Sequence, residues 1–266
     1  MSDFAAPRKS LGQNFLQDQN IINKIVSSLA ITDKDVVVEI GPGRGALTEL
    51  ILPQAGELHL VEFDYDLVRY WEERAETLPQ LKVHGVDVLK FDFNNIIAQV
   101  DRPLKVIGNL PYNISSPVLF HLMNYAEHIH SQVVMLQKEV VERMASKPGS
   151  KQYGRLSVML QQRYDIEYLF TVPPGAFFPP PKVDSAIARL TPLSDVPHPV
   201  TNQGDFAKLV KQAFSQRRKT LRNTLKGLLD AEQIESTGVQ PTARAETLSI
   251  AQFAALANLY TESVKD

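Results

Sequence analysis

The sequence predicts an α/β protein: a doubly wound, mostly parallel sheet with an antiparallel strand pair at its end, then a small C-terminal helical domain. Three observations predict it. Apolar, β-branched runs alternate with helical stretches through the first half. Further on, two strand-like runs are joined by a proline-rich loop where a parallel pair would need a crossover helix. Past that pair the strand signal stops and polar helical spacing takes over, which divides the chain at 1–196 and 197–266.

The elements follow in order. "DVVVEIG" (35–41) is an unbroken β-branched run ending in glycine, the pattern of a strand buried on both faces. "ALTELILPQA" (46–55) has helical spacing, "ELHLVEFD" (57–64) is the next strand and "YDLVRYWEERAETL" (65–78) the next helix. Strands are predicted at "LKVHGVDVL" (81–89) and "LKVIGNLPY" (104–112), with a helix over "SPVLFHLMNYAE" (116–127). The strand "SQVVMLQ" (131–137) runs directly into the helix "KEVVERMAS" (138–146). After a polar loop come the helix "RLSVMLQQR" (155–163) and the strands "YDIEYLFTV" (164–172) and "VDSAIARLTPL" (183–193), separated by "PPGAFFPPPK" (173–182). "SDVPHPVTNQGD" (194–205) reads as a linker, and the remainder as polar helix.

Composition narrows the function classes. With 44% hydrophobic and 22% charged residues in 266, the chain has the make-up of a globular cytoplasmic enzyme. No apolar run approaches the roughly 20 residues of a membrane span, and "MSDFAAPRKS" is too polar for a signal peptide. Cysteine is absent, which removes disulfides, thiolate metal sites and a cysteine nucleophile. His121, His128 and His130 lack carboxylate company at ligand spacing, so no metal is expected. No GxxxxGK[ST] run exists to hold a nucleoside triphosphate. The net charge of −2 hides a segregated patch. Between Phe206 and Leu229 stand Lys208, Lys211, Arg217, Arg218, Lys219, Arg222 and Lys226 with no acid among them, a footprint suited to nucleic acid.

Gly41, Gly43 and Gly45 follow the first of these strands directly, where a backbone must turn tightly and approach a ligand. Glu62 ends the next strand, placed to take a ribose diol, and Asp87 ends the one after, placed to accept from an adenine amino group. The third glycine falls one residue early for the dinucleotide fingerprint, with Ala46 behind it, so a nicotinamide oxidoreductase is disfavoured. Ribose and base held by two strand ends suit a compact adenosyl cofactor such as S-adenosylmethionine.

"NLPYNISSP" (109–117) then has a chemical reading. Without cysteine, covalent C5 methylation of a pyrimidine is excluded. An exocyclic base amine can attack a methyl donor directly if two acceptors engage its N–H groups and share the charge that develops. Asn109 offers a side-chain oxygen, and Leu110 or Pro111 a backbone carbonyl. Pro111 fixes φ, and Tyr112 offers a stacking face for the target base. That role needs the tyrosine ring and not its hydroxyl.

Eight blocks in order, "KSLGQNFL" (9–16), "EIGPGRGALT" (39–48), "GVDVL" (85–89), "GNLPYNISSP" (108–117), "LQKEVVERM" (136–144), "YGRLSV" (153–158), "FFPPPKVDSA" (177–186) and "FSQRRKTLRNTL" (214–225), resemble the ribosomal RNA adenine N6,N6-dimethyltransferases. The likeness is closest to the branch acting on small-subunit (16S) rRNA, the kasugamycin-sensitivity enzymes. It implies a Rossmann-like class I methyltransferase sheet with a helical RNA-binding domain, acting as a monomer on two adjacent adenosines of the 3′-terminal hairpin. It implies further that Asn14 and Leu16 line the methionine end of the cofactor beside Gly41, that Asn109 serves both pockets, and that Phe177 stacks on the flipped adenine opposite Tyr112. Phe178 stands where the family pattern is not usually aromatic. The rivals are a large-subunit (23S) enzyme of the macrolide-resistance type and an RNA-binding ribosome-assembly factor with secondary methylation. After about residue 230 no motif is legible.

Overall fold

The computed structural model describes residues 13–264, so Lys9–Gly12 of the first block lie outside the described residues. Nine strands are described, in order: β1 (Phe15–Leu16), β2 (Val36–Ile40), β3 (Glu57–Glu62), β4 (Leu81–Gly85), β5 (Leu104–Asn109), β6 (Ile129–Gln137), β7 (Tyr164–Val172), β8 (Phe177–Phe178) and β9 (Ser185–Pro192). Helices interleave with them: α1 (Gln19–Ser28), α2 (Thr48–Ile51), α3 (Tyr65–Ala75), α4 (Asn94–Ile97), α5 (Ser115–Met123), α6 (Lys138–Met144) and α7 (Arg155–Gln161). Then come α8 (Gln203–Ala213), α9 (Leu221–Thr224), α10 (Ala231–Ser236) and α11 (Ile250–Ser263).

The main sheet has the order β4-β3-β2-β5-β6-β9-β7. Strands β4, β3, β2, β5 and β6 are parallel, β9 is antiparallel to β6, and the expected pair, β9 and β7, lies side by side at the sheet's end. Every residue of β2 is buried, as an unbroken β-branched run requires. Chain order reverses between β2 and β5, which makes their carboxyl ends the switch point where ligands bind in such sheets.

Three elements are not legible as periodic runs. Helix α1 starts where Asp18 accepts from the Asn20 and Ile21 N–H groups (2.9 and 3.1 Å), and it buries Ile22, Ile25 and Val26. Strands β1 and β8 are two residues each, pairing Phe15 with Phe178 and Leu16 with Phe177. That small ladder joins the "GQNFL" and "FFPPPK" blocks, whose paired residues Leu16 and Phe177 are 161 positions apart, at the sheet's ligand-binding end.

The chain forms two compact units: one holds the residues up to Val141 with Ile166–Pro192, the other Glu142–Asp165 with the residues from Leu193 onward. The second unit therefore differs from the 197–266 segment by recruiting α7. Leu156, Val158, Met159 and Leu160 are all buried, and α7 packs with α8 and α11. A helix apolar all round needs such enclosure. Among the described residues no helix is long and apolar enough to cross a membrane, and no cluster of His, Asp and Glu is arranged to hold a metal ion. His121 Nε2 instead bonds the Phe91 carbonyl (2.8 Å).

Candidate active site

A cavity of about 310 Å³ opens at the carboxyl ends of β2, β3 and β5. Asn14, Leu16, Gly41, Glu62 and Asp87 line it, and so do Asn109, Pro111 and Tyr112.

The glycine loop is built by positive φ and by a tryptophan. Gly41 and Gly45 have φ of 66° and 88°, and a Cβ on Gly45 would lie 2.7 Å from the buried Trp71 ring. Trp71 Nε1–H donates to the Gly43 carbonyl (3.0 Å). The loop's own donors are spent internally: Gly41 N–H on Val61 O (2.9 Å), Gly45 N–H on Pro42 O (2.9 Å) and Gly43 N–H on Glu62 Oε2 (3.2 Å). A dinucleotide loop keeps such donors for the pyrophosphate. This one does not.

Glu62 is buried, and Oε1 also accepts from the Phe63 and Asp64 N–H groups (2.8 Å each). A carboxylate has about four acceptor positions, so the backbone takes three and leaves one on Oε2 for a ligand hydroxyl. Burial pushes the Glu62 carboxyl above its usual range, and the three N–H bonds work against that shift. Asp87 Oδ1 accepts from Leu89 N–H (3.0 Å), which leaves Oδ2 for a ligand donor.

Glu39 was not singled out in the sequence. It lines the cavity 1% exposed, with Thr48 Oγ1 donating to Oε2 (2.7 Å). Burial pushes its carboxyl up to about 8. An acid inside the otherwise apolar run "VVVEI" is the signal that could have found it. Acceptors at two strand ends, suited to a ribose diol and a base amine, fit an adenosyl ligand, and the buried Glu39 carboxyl, pushed up to about 8, adds a neutral polar wall.

The β5 end presents the amide and the ring. Asn109 Nδ2–H donates to the Asn14 carbonyl (3.1 Å), so the other end of the amide, Oδ1, is the acceptor the cavity receives. Leu110 N–H is held by Met135 O of β6 (3.1 Å), and Pro111 O takes Ile114 N–H (3.1 Å) in a turn. Of the two candidate carbonyls, Leu110's is therefore the one not already engaged by that turn. Tyr112 is half-buried and its hydroxyl lies 2.5 Å from Ser185 Oγ on β9. Sequence reasoning left both Ser185 and the tyrosine hydroxyl without a role.

Phe177, the ring to which the family resemblance assigns the stacking role, is not among the residues that line the cavity. Its ring is 4% exposed and joins Leu16, Val172 and Ala176 in the core, because alternation along β8 points it away from Phe178. Phe178, at 54% exposure, is the ring open to solvent.

The family model described as ribosomal RNA adenine dimethylase matches residues 5–262. The chain is 51% identical over 255 residues to the ribosomal RNA small subunit methyltransferase A of Hydrogenovibrio crunogenus, covering 95% of this chain and 96% of that protein. It is 49% identical over 257 residues to the protein of that name from Pseudomonas syringae pv. tomato, covering 97% and 96%. Among solved structures, a dimethyladenosine transferase from Plasmodium falciparum superposes with a TM-score of 0.78 at 27% identity, covering 91% of this chain and 95% of that one. The 23S rRNA methyltransferase ErmE shares the fold, with a TM-score of 0.69 at 24% identity over 93% of this chain and all of that one.

Proposed function

The chain belongs to the ribosomal RNA adenine dimethylase family, and from that membership we propose that it dimethylates N6 of two adjacent adenosines in the 3′-terminal hairpin of 16S rRNA. It is an S-adenosylmethionine-dependent enzyme with ribosomal RNA as substrate. The observation that carries the reading is one cavity that joins the Glu62 and Asp87 acceptors to the Asn109–Tyr112 run. Small-subunit RNA is favoured over 23S by the names of the relatives, ribosomal RNA small subunit methyltransferases A. We place the reaction in the cytoplasm and assign it to a monomer.

Bound S-adenosylmethionine supplies an electrophilic methyl group. The residues do the rest by placement. Glu62 Oε2 would accept from a ribose hydroxyl and Asp87 Oδ2 from the adenine amino group, while Asn14, Leu16 and Gly41 would border the opposite end. Asn109 Oδ1 and the Leu110 carbonyl accept from the two N–H groups of the target amine, which frees its lone pair and shares the developing charge. The Tyr112 ring takes the flipped base on its face, and we assign the other face to Phe178, the exposed ring of the Phe177–Phe178 pair.

Mass spectrometry of rRNA from a strain deleted for this chain should show dimethyladenosine lost from 16S alone; loss from 23S would replace this reading with the large-subunit one. Complementation with Phe178→Ala should restore less modification than complementation with the wild-type chain. Full restoration would return the stacking role to Phe177.

Glu62→Ala is expected to weaken S-adenosylmethionine binding by about 2 kcal/mol, through one charge-assisted ribose contact and three loop N–H groups left without their acceptor. Isothermal calorimetry checks this, with a thermal melt to confirm folding. An unchanged affinity would remove the ribose role.

A further inference from the structure

We infer that Ser185 is a positioning residue for the target base, acting by clamping the Tyr112 ring through its hydroxyl. The inference rests on the methyl transfer proposed above. Tyr112 is held at both ends. At its root, Pro111 fixes φ and Ser115 Oγ donates to the Tyr112 carbonyl (3.1 Å). At its tip, the phenol oxygen meets Ser185 Oγ at 2.5 Å.

Ser185 is a rigid anchor. It is fully buried at the first position of β9, opposite Gln137 of β6, and the adjoining Lys138 N–H donates to Asp184 O (3.0 Å). The same strand β6 holds Leu110 N–H through Met135 O, so the acceptor carbonyl and the stacking ring share one frame. A phenol is protonated at neutral pH and burial raises the Tyr112 hydroxyl further, so either hydroxyl of the pair can donate. A phenol O–H lies in the plane of its ring by conjugation. A bond to a fixed serine therefore limits both the swing of the ring and the tilt of its face. In-line transfer to an amine is sensitive to that tilt, since a misplacement of about 1 Å can lower a rate roughly 100-fold.

The test is single-turnover methylation of small-subunit rRNA at saturating S-adenosylmethionine by Ser185→Ala, Tyr112→Phe and the double variant. Each single variant is expected to lose about 10-fold in rate, a misorientation smaller than the 1 Å case. The double should be no slower than the worse single, because one bond is removed in all three. RNA and cofactor affinities should stay within about 3-fold of wild type, well inside the ~1–3 kcal/mol that loss of the stacking ring itself would remove. Rates of both singles within about 2-fold of wild type would overturn the clamp, and so would a double-variant loss equal to the product of the singles. Should Ser185→Ala not fold, Tyr112→Phe decides alone, read with quenching of a 2-aminopurine at the target position: reduced quenching supports the clamp and wild-type quenching overturns it. An inactive wild-type chain would overturn the methyltransferase reading and the clamp together. An active wild type with unaffected variants overturns the clamp only.

Discussion

Replacing Asn109 by alanine is expected to lower single-turnover methylation by about 100-fold or more, the loss typical of one preorganised transition-state hydrogen bond. The amide is fixed before any substrate arrives. Its Nδ2–H is tied to the Asn14 carbonyl at 3.1 Å, and its backbone ends β5, which pairs with β2 and β6. No reorganisation is needed for Oδ1 to accept as charge builds on the target amine. The same bond predicts a secondary effect: the Asn14 carbonyl loses one donor, so cofactor affinity should weaken several-fold, far less than the rate falls. Asn109→Asp separates the two roles, since it keeps an oxygen at Oδ1 and puts a second acceptor against the Asn14 carbonyl. It should bind cofactor worse than it methylates at saturation. Near-normal turnover by Asn109→Ala would sink the acceptor role, whatever the family membership implies.

How much of this was legible in the sequence depends on whether a residue's role is local. The strands of the parallel sheet were legible because burial on both faces writes itself as a continuous apolar run, as in "VVVEI" and "LKVIG". Glu62 and Asp87 were legible because a carboxylate at a parallel strand's carboxyl end has few bland uses. The number of ligand contacts left to Glu62 was not legible. It follows from where the Gly43, Phe63 and Asp64 N–H groups point, and periodicity carries no information about that.

Long-range partners were the other gap. Ser185 and Tyr112 are 73 positions apart, and the β5–β6 and β6–β9 pairings bring them together. Read by itself, "VDSA" offers a strand with one small polar residue. The choice between Phe177 and Phe178 was illegible for a similar reason. Two adjacent phenylalanines in an extended segment must point to opposite sides, but which one faces the core is decided by pairing with Leu16, not by the dipeptide. The helical unit's extent was hidden because α7 lies between two strands in sequence while its apolar surface is buried with α8 and α11.

Neutralising Arg218, Lys219 and Arg222 together is expected to weaken rRNA binding on the order of 100-fold at 0.1 M salt. Each phosphate contact contributes roughly 0.7 to 0.9 to the logarithmic salt slope, so the slope should fall by about 2 to 3. The basic run was expected to be helical, but the structure breaks it: α8 ends at Ala213 and α9 begins at Leu221. Arg217, Arg218 and Lys219 therefore sit in a connecting loop, exposed, with Arg222 exposed on α9. They are not equivalent. Arg217 Nε pairs with Glu246 at 2.9 Å, and its guanidinium also reaches the Lys151 carbonyl, so it ties together parts of its own unit. Arg217→Gln should thus lower thermal stability more than it changes the salt slope. The other three carry the electrostatic term. Filter binding across a salt series separates these outcomes, and S-adenosylmethionine affinity should stay unchanged throughout, because the residues that line the cofactor cavity all belong to the other unit. An unaltered slope in the triple variant would reduce the segment to an ordinary solvated surface and leave RNA binding to other residues.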